Sequence, residues 1–283
     1  MALHSFARAG SHEADGATWK VASAVGVRRL VTASSQLLAA YADTLCFVDE
    51  REHPGVHGLV ALTIDDGLCR QGPEHSLVPE VRALLKEHGA HATFFVCSEY
   101  LSGLGAEGLL SDGNELGNHM THDSHKWARG PIEDFETDLL RCGEAIRELQ
   151  PQGTKWFRAP GGKLTAAMGE VLDKHGLRHA LGDCYCDDWA IEDSGFVART
   201  LVGQAHSGSV VILHMPERGL REHCLVALRG LLEGLRAKGL RCVTLSALAS
   251  KAPGILQEDS CAAVRPQDSP TAVTLQHEGR VEL

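Results

Sequence analysis

Between about residues 56 and 250, short apolar runs alternate with stretches whose apolar residues recur every three or four positions. Seven of the runs predict buried strands: Leu59–Asp65, Ala92–Cys97, Glu115–His119, Lys155–Arg158, His179–Gly182, Ser209–His214 and Arg241–Ser246. Three stripes predict helices between them. Leu77, Val81, Leu84 and Leu85 form the first, closed by Gly89. Ile132, Phe135, Leu139, Ile146 and Leu149 form the second, with Pro131 at its first turn. Leu225, Leu228, Leu232 and Leu235 form the third. Strands alternating with helices imply the α/β class with parallel pairing, and this number of units suits a barrel or near-barrel.

The flanks read differently. Residues 1–55 predict an N-terminal extension with one helix, roughly Val27 to Cys46. Residues 251–283 carry Pro253, Pro266 and Pro270 without sustained periodicity, which predicts a mobile tail. No repeat of the solenoid type is visible.

Composition narrows the function classes. Hydrophobic residues make up 43% and charged residues 23%, the balance of a globular chain. Asp plus Glu total 37 against 27 for Lys plus Arg, a net charge of −10, and no basic block is present. That argues against a nucleic-acid partner. Nine Cys are scattered with no pattern of close pairs that suggests a disulfide framework, so the reading is reduced thiols in an intracellular compartment. The opening MALHSFARAGSHEADG lacks an apolar signal core, and Val21–Val48 is interrupted by Arg28, Arg29 and Asp43. The expectation is a cytoplasmic chain without a membrane partner.

Reactive side chains gather at the carboxyl ends of the predicted strands, where ligands bind in parallel α/β folds. LVALTIDDG ends in Asp65 and Asp66, ELGNH in His119, KWFRAP in Arg158 and SVVILH in His214. After the fifth strand comes DCYCDDW, with Asp187, Asp188 and Trp189. Singly, each has a plain explanation: a solvated turn, a core histidine, a surface ion pair. Convergence on one mouth explains them together.

The residue types suggest hydrolysis. Adjacent side chains on a strand alternate, so one carboxylate of the pair could hold a metal while the other serves as base. His119 is followed by His122, Asp123 and His125. A helix or turn beginning here could bring His122 or Asp123 beside His119, giving three protein ligands with Asp66 and an open position, the layout of a catalytic metal site. Asp65 could take a proton from water, with Arg158 holding it ionised. His214 could protonate a leaving amine, its pKa raised by Asp188.

The ordered set ALTIDDG, GNHMTHDSH, FRAPGG, DDW and ILHMPE resembles the polysaccharide deacetylases, the NodB-homology carbohydrate esterases. The resemblance runs from about Val56 to Leu248 and so outlines a deacetylase domain at 56–250. It implies a distorted (β/α) barrel of about seven parallel strands. It also implies a carbon–nitrogen hydrolase that removes acetyl groups from N-acetylated sugars with one divalent ion. Carried over, Asp65 is the base, His214 the acid, Arg158 the partner of the base, and Asp188 belongs to the fourth motif. Asp66 and His119 are metal ligands. Pro160, Gly161 and Trp189 fall at substrate-binding positions. The family register favours Asp123 as third ligand over His122, with His125 reachable only if the turn shifts.

Departures bear on the chemistry. Met120 stands where Ser or Thr is usual, Asp123 where a second His is usual, and Gly161 where an aromatic follows the RxP triplet. A carboxylate third ligand hardens the site, so manganese, iron or cobalt join zinc, the first expectation. Two alternatives stand beside the deacetylase: an intracellular hydrolase of a small N-acyl compound, and a carbohydrate-binding relic without turnover. Acyl group, substrate length and oligomeric state stay open.

Overall fold

The computed structural model describes residues 43–101 and 105–255. Each of the seven predicted strands has a counterpart: β1 Leu59–Gly67, β2 Thr93–Val96, β3 Glu115–Asn118, β4 Trp156–Phe157, β5 Arg178–His179, β6 Val210–His214 and β7 Arg241–Val243, although the fifth shares only His179 with the expected His179–Gly182. They pair in parallel in the order β5-β4-β3-β2-β1-β6. β7 lies against the start of β1, pairing Leu59–Ala61 with Arg241–Val243, below the point where β2 joins at Thr63. The last predicted strand stops early. Thr244 turns the chain into a helix by accepting a hydrogen bond from the Ala247 N–H, so Leu245 and Ser246 are helical.

Helices α1 Val78–Glu87, α3 Ile132–Leu149 and α6 His223–Ala237 match the three stripes. Gly89, at φ 57°, ends the turn after α1, and Glu133 and Asp134 open α3 at the end favourable to acidic groups. Further helices are α2 Ala106–Ser111, α4 Ala166–Lys174, α5 Ser194–Gln204 and α7 Leu245–Ala249. Thr165 caps α4 and Asp193 caps α5 through their side chains. No helix among the described residues is long and apolar enough to cross a membrane.

Side-chain alternation along β1 divides the molecule. Val60, Leu62 and Ile64 face outward and pack with Val81, Leu85, Leu228 and Leu231 of the helices. Leu59 and Ala61 belong to the other face, packing with Phe95, Trp156, Val210 and Leu248. On that inner row the polar residues Thr63 and Asp65 follow, toward the carboxyl ends of the strands. The eight described Cys are buried, and burial raises the thiols of Cys46, Cys142 and Cys242 to about 12.

The sheet curls far enough for a short segment to link its edges. Leu45 bridges to Ala180 beside β5, and Phe47 bridges to Ser209 beside β6. Leu45 and Val48 are core residues, although they precede the domain start expected at residue 56. Within the stretch expected as helix, residues 43–46 form a turn and an extended bridge; residues 27–42 lie outside the described residues. At the other end Ala252 joins the core, and the rest of the expected tail from 256 onward also lies outside them.

Gly208 lets this closure form. Its φ is 80°, and a Cβ there would sit 1.9 Å from the Val48 carbonyl oxygen, while its own carbonyl accepts the Val48 N–H at 2.8 Å. Gly208→Ala therefore combines left-handed strain with a backbone clash. We expect it to destabilise the fold by about 2–4 kcal/mol in urea unfolding, whereas Gly169→Ala, inside α4 with open space around it, should change stability by less than about 1 kcal/mol.

Candidate active site and metal centre

The mouth of the barrel is built around an irregularity in β1. Asp65 pairs with Phe95 but Gly67 pairs with Val96, so Asp66 is an extra, bulged residue. Its φ is 59°. Strict alternation would send Asp65 and Asp66 to opposite faces; the bulge instead aims both carboxylates into the mouth. Asp65 and Asp66 are both buried.

β3 delivers the imidazole. His119 follows Asn118 at the strand end, and its Nδ1 lies 2.8 Å from the Arg158 carbonyl oxygen. A carbonyl only accepts, so Nδ1 carries a proton toward it, and Nε2 is the ring atom turned into the mouth. That Nε2 lies 3.4 Å from Asp66 Oδ1. The chain then turns sharply through Met120, at φ 69°, instead of starting a helix. Asp138 holds this turn by accepting hydrogen bonds from the N–H and hydroxyl of Thr121, at 2.9 and 2.7 Å.

The turn brings one of the sequence candidates beside Asp66 and His119. Asp123 joins Asp66 and His119, and one ligand atom from each lies within 4.8 Å of the others. His122 points outward, exposed, with its Nδ1 beside Thr121 Oγ1 and its ring edge-on to Tyr100. His125 lies elsewhere, near Lys163 and Gly161. The donor set of two carboxylate oxygens and an imidazole nitrogen whose other nitrogen is hydrogen-bonded fits a divalent ion.

Arg158, ending β4, is almost fully buried. Its guanidinium donates to Asp65 Oδ1 at 2.6 Å, Thr63 Oγ1 at 2.8 Å, and the carbonyls of Ala180 and Leu181 at 2.9 and 3.1 Å. It also lies 4.1 Å over the Phe95 ring. Burial lowers the Arg158 pKa, opposed by Asp65.

β6 brings His214. Asp188 is fully buried and accepts both the His214 N–H and its Nδ1–H at 2.8 Å. Burial favours the neutral imidazole, but Asp188, its hydrogen bond, and the more distant Asp66 and Asp65 raise the His214 pKa to about 9. Burial works against the Asp66 carboxylate too, yet His119, His214 and Arg221 hold it well below the usual range.

The expected substrate positions are less concentrated. Pro160 is buried in a turn beside Arg158, and Gly161 has φ 60°. The His125 ring fills the space over Gly161: a Cβ there would be 2.3 Å from its Nε2. Trp189 is 53% exposed and follows Asp188 directly. An open depression of about 470 Å³ adjoins the cluster, lined by Asp123, Ser124, His125, Lys126 and Arg129.

Three residues of the mouth are absent from the sequence-derived set. Arg70 Nη2 lies 3.4 Å from Asp66 Oδ2 and 3.2 Å from Asp123 Oδ2. Arg221 Nη1 donates to Asp66 Oδ2 at 2.9 Å. Fully buried Glu217 accepts the backbone N–H groups of Arg70 and Gln71. Glu217 is visible in ILHMPE, but nothing local marks a Glu in a loop as buried.

Comparison with known proteins places this geometry. The polysaccharide deacetylase family model matches residues 53–180. A peptidoglycan-N-acetylglucosamine deacetylase of Bacillus cereus is 30% identical over 206 residues, covering 70% of this chain and 91% of that protein. The solved Bc1960 peptidoglycan N-acetylglucosamine deacetylase shares the fold, with a TM-score of 0.62 and 22% identity over 73% of this chain and 92% of that one. A CE4 family pseudoenzyme from Bacillus anthracis shares it too, with a TM-score of 0.59 and 19% identity over 68% of this chain and 65% of that one.

The Asp188–His214 pair makes stability depend on pH. A pKa raised from 6.5 to about 9 stabilises the fold fully below pH 6.5, and that contribution is lost as pH rises through about 9. We expect the unfolding free energy to fall by roughly 2–3 kcal/mol more in the wild type than in Asp188→Asn between pH 6 and 10. Equal slopes would mean the pair is not coupled as described.

Proposed function

Because the chain belongs to the polysaccharide deacetylase family, we propose that it is a metal-dependent hydrolase that removes acetyl groups from N-acetylated glucosamine units. The observation that carries this is the assembly of Asp66, His119 and Asp123 within 4.8 Å of one another, beside two separately paired groups: Asp65 with Arg158 and His214 with Asp188.

Asp66, His119 and Asp123 would hold a divalent ion, with zinc the first choice and manganese, iron or cobalt the alternatives. Bound there, the ion supplies Lewis acidity to the acyl carbonyl and the attacking water. Asp65 accepts the proton of that water. Arg158 fixes the orientation of Asp65 through a 2.6 Å charge-assisted bond. His214, held protonated by Asp188, gives its proton to the departing amine. The two roles fall to groups with separate partners, Arg158 for Asp65 and Asp188 for His214. Pro160 and Gly161 form the wall beside Arg158, and Trp189 offers an apolar face for a sugar ring.

A binding-only reading has one observation in its favour: the chain shares its fold with a pseudoenzyme. Retention of both charge pairs and a fitting donor set favours turnover. The small N-acyl alternative differs only in substrate, and the same assay separates it.

The test is acetate release from N-acetylglucosamine oligomers with zinc, manganese or cobalt supplied. Asp65→Asn and His214→Ala should each lower kcat by about 10²–10⁴-fold. The rate should fall as pH rises through the His214 pKa of about 9, and this limb should move to lower pH in Asp188→Asn. Acetate release no greater than that of Asp65→Asn on every oligomer would exclude the deacetylase reading. Release from soluble N-acyl compounds alone would transfer it to the smaller substrate.

A further inference from the structure

The outer oxygens of the metal-binding carboxylates are held by two guanidinium groups. Asp66 Oδ1 faces His119 Nε2, while Asp66 Oδ2 receives Arg221 at 2.9 Å and Arg70 at 3.4 Å. Arg70 reaches across to Asp123 Oδ2 at 3.2 Å, so one guanidinium joins two of the three candidate ligands. Two positive charges thus face two carboxylates in a mouth where Asp66 and the Arg221 side chain are over nine-tenths buried.

This arrangement is anchored. Glu217, fully buried, accepts the Arg70 and Gln71 N–H groups at 2.9 and 3.0 Å and the Cys69 thiol at 3.2 Å. The Tyr100 ring lies 5.3 Å beneath the Arg70 guanidinium. Glu217 also pairs through its backbone with Leu220, in both directions, immediately before Arg221. Arg221 itself has φ 58°, and its buried Nε has no hydrogen-bond partner. Strain and an unpaired donor are tolerated where they keep the second guanidinium on Asp66.

We propose that Arg70 and Arg221, braced by Glu217, form a guanidinium clamp that positions Asp66 and Asp123 and limits how tightly they take a divalent ion. The inference rests on the metal site described above. The clamp neutralises the two carboxylates when no ion is held, so the buried site carries no uncompensated charge. With an ion held, the same guanidinium groups repel it and withdraw charge from its ligands. Arg70, 38% exposed, is the arm that can be changed without opening the core.

The test measures ion affinity directly, by competition of the full-length protein with a chromophoric chelator for Zn²⁺, and by the Co²⁺ absorption band. Arg70→Met should bind Zn²⁺ at least about tenfold more tightly than wild type, a change of about 1.4 kcal/mol. Arg70→Lys keeps the charge and should stay within about threefold of wild type. An Arg70→Met affinity equal to or weaker than wild type overturns the clamp. If wild type binds one ion per chain and Asp66→Ala does not, that result leaves the metal site standing. Absence of ion binding in both wild type and Arg70→Met overturns the clamp and the metal site together.

Discussion

Arg158 lies where five strands meet. Its guanidinium holds Asp65 and Thr63 of β1, the carbonyls of Ala180 and Leu181 beyond β5, and the ring of Phe95 on β2. Its own carbonyl accepts the His119 Nδ1–H and so fixes the tautomer of the β3 histidine. A buried guanidinium is costly unless its donors and charge are satisfied, and here the strand ends satisfy them. The same bonds that make its burial tolerable therefore set the geometry of the proposed base and of one proposed metal ligand. Fold and site share one interaction.

The mouth follows a rule of local neutrality. Asp65 is matched by Arg158, Asp188 by His214, and Asp66 with Asp123 by Arg221 and Arg70. Each pair sits on a different strand end or loop, so charges that would repel along the sequence are separated in space and compensated across it. The Asp188 carboxylate accepts twice from His214, which favours the protonated imidazole, while the Asp65 carboxylate accepts from Arg158.

Local strain is concentrated in the same place. The three described residues other than Gly with left-handed backbone are Asp66, Met120 and Arg221. They are, respectively, a candidate ligand, the neighbour of another, and the clamp residue bonded to the first. Such conformations cost on the order of 1–3 kcal/mol each and persist where surrounding packing over-determines them. The buried β1 strand and the cores on both of its faces provide that packing.

Hydrophobic spacing alone was enough to locate seven strands and three helices, because apolar period is a local property and burial enforces it. The motif residues Asp65, Asp66, His119, Arg158 and His214 were legible for a related reason: they stand at strand ends, where sequence position implies position in the fold; Asp188, in the loop after β5, was marked by the DDW motif. Caps and distant pairings were legible less often. β7 ended early because Thr244 caps a helix, and Leu45 joined the barrel across more than a hundred residues, an edge pairing no local pattern announces. Tertiary structure decided the rest. The bulge turned Asp66 toward Asp65, the turn at Met120 placed Asp123 rather than His122 beside Asp66 and His119, and the folded loops brought Arg70, Arg221 and Glu217 to the site. Period and composition encode which face a residue buries; they do not encode which distant charge will meet it there, because that depends on backbone geometry fixed only when the barrel closes.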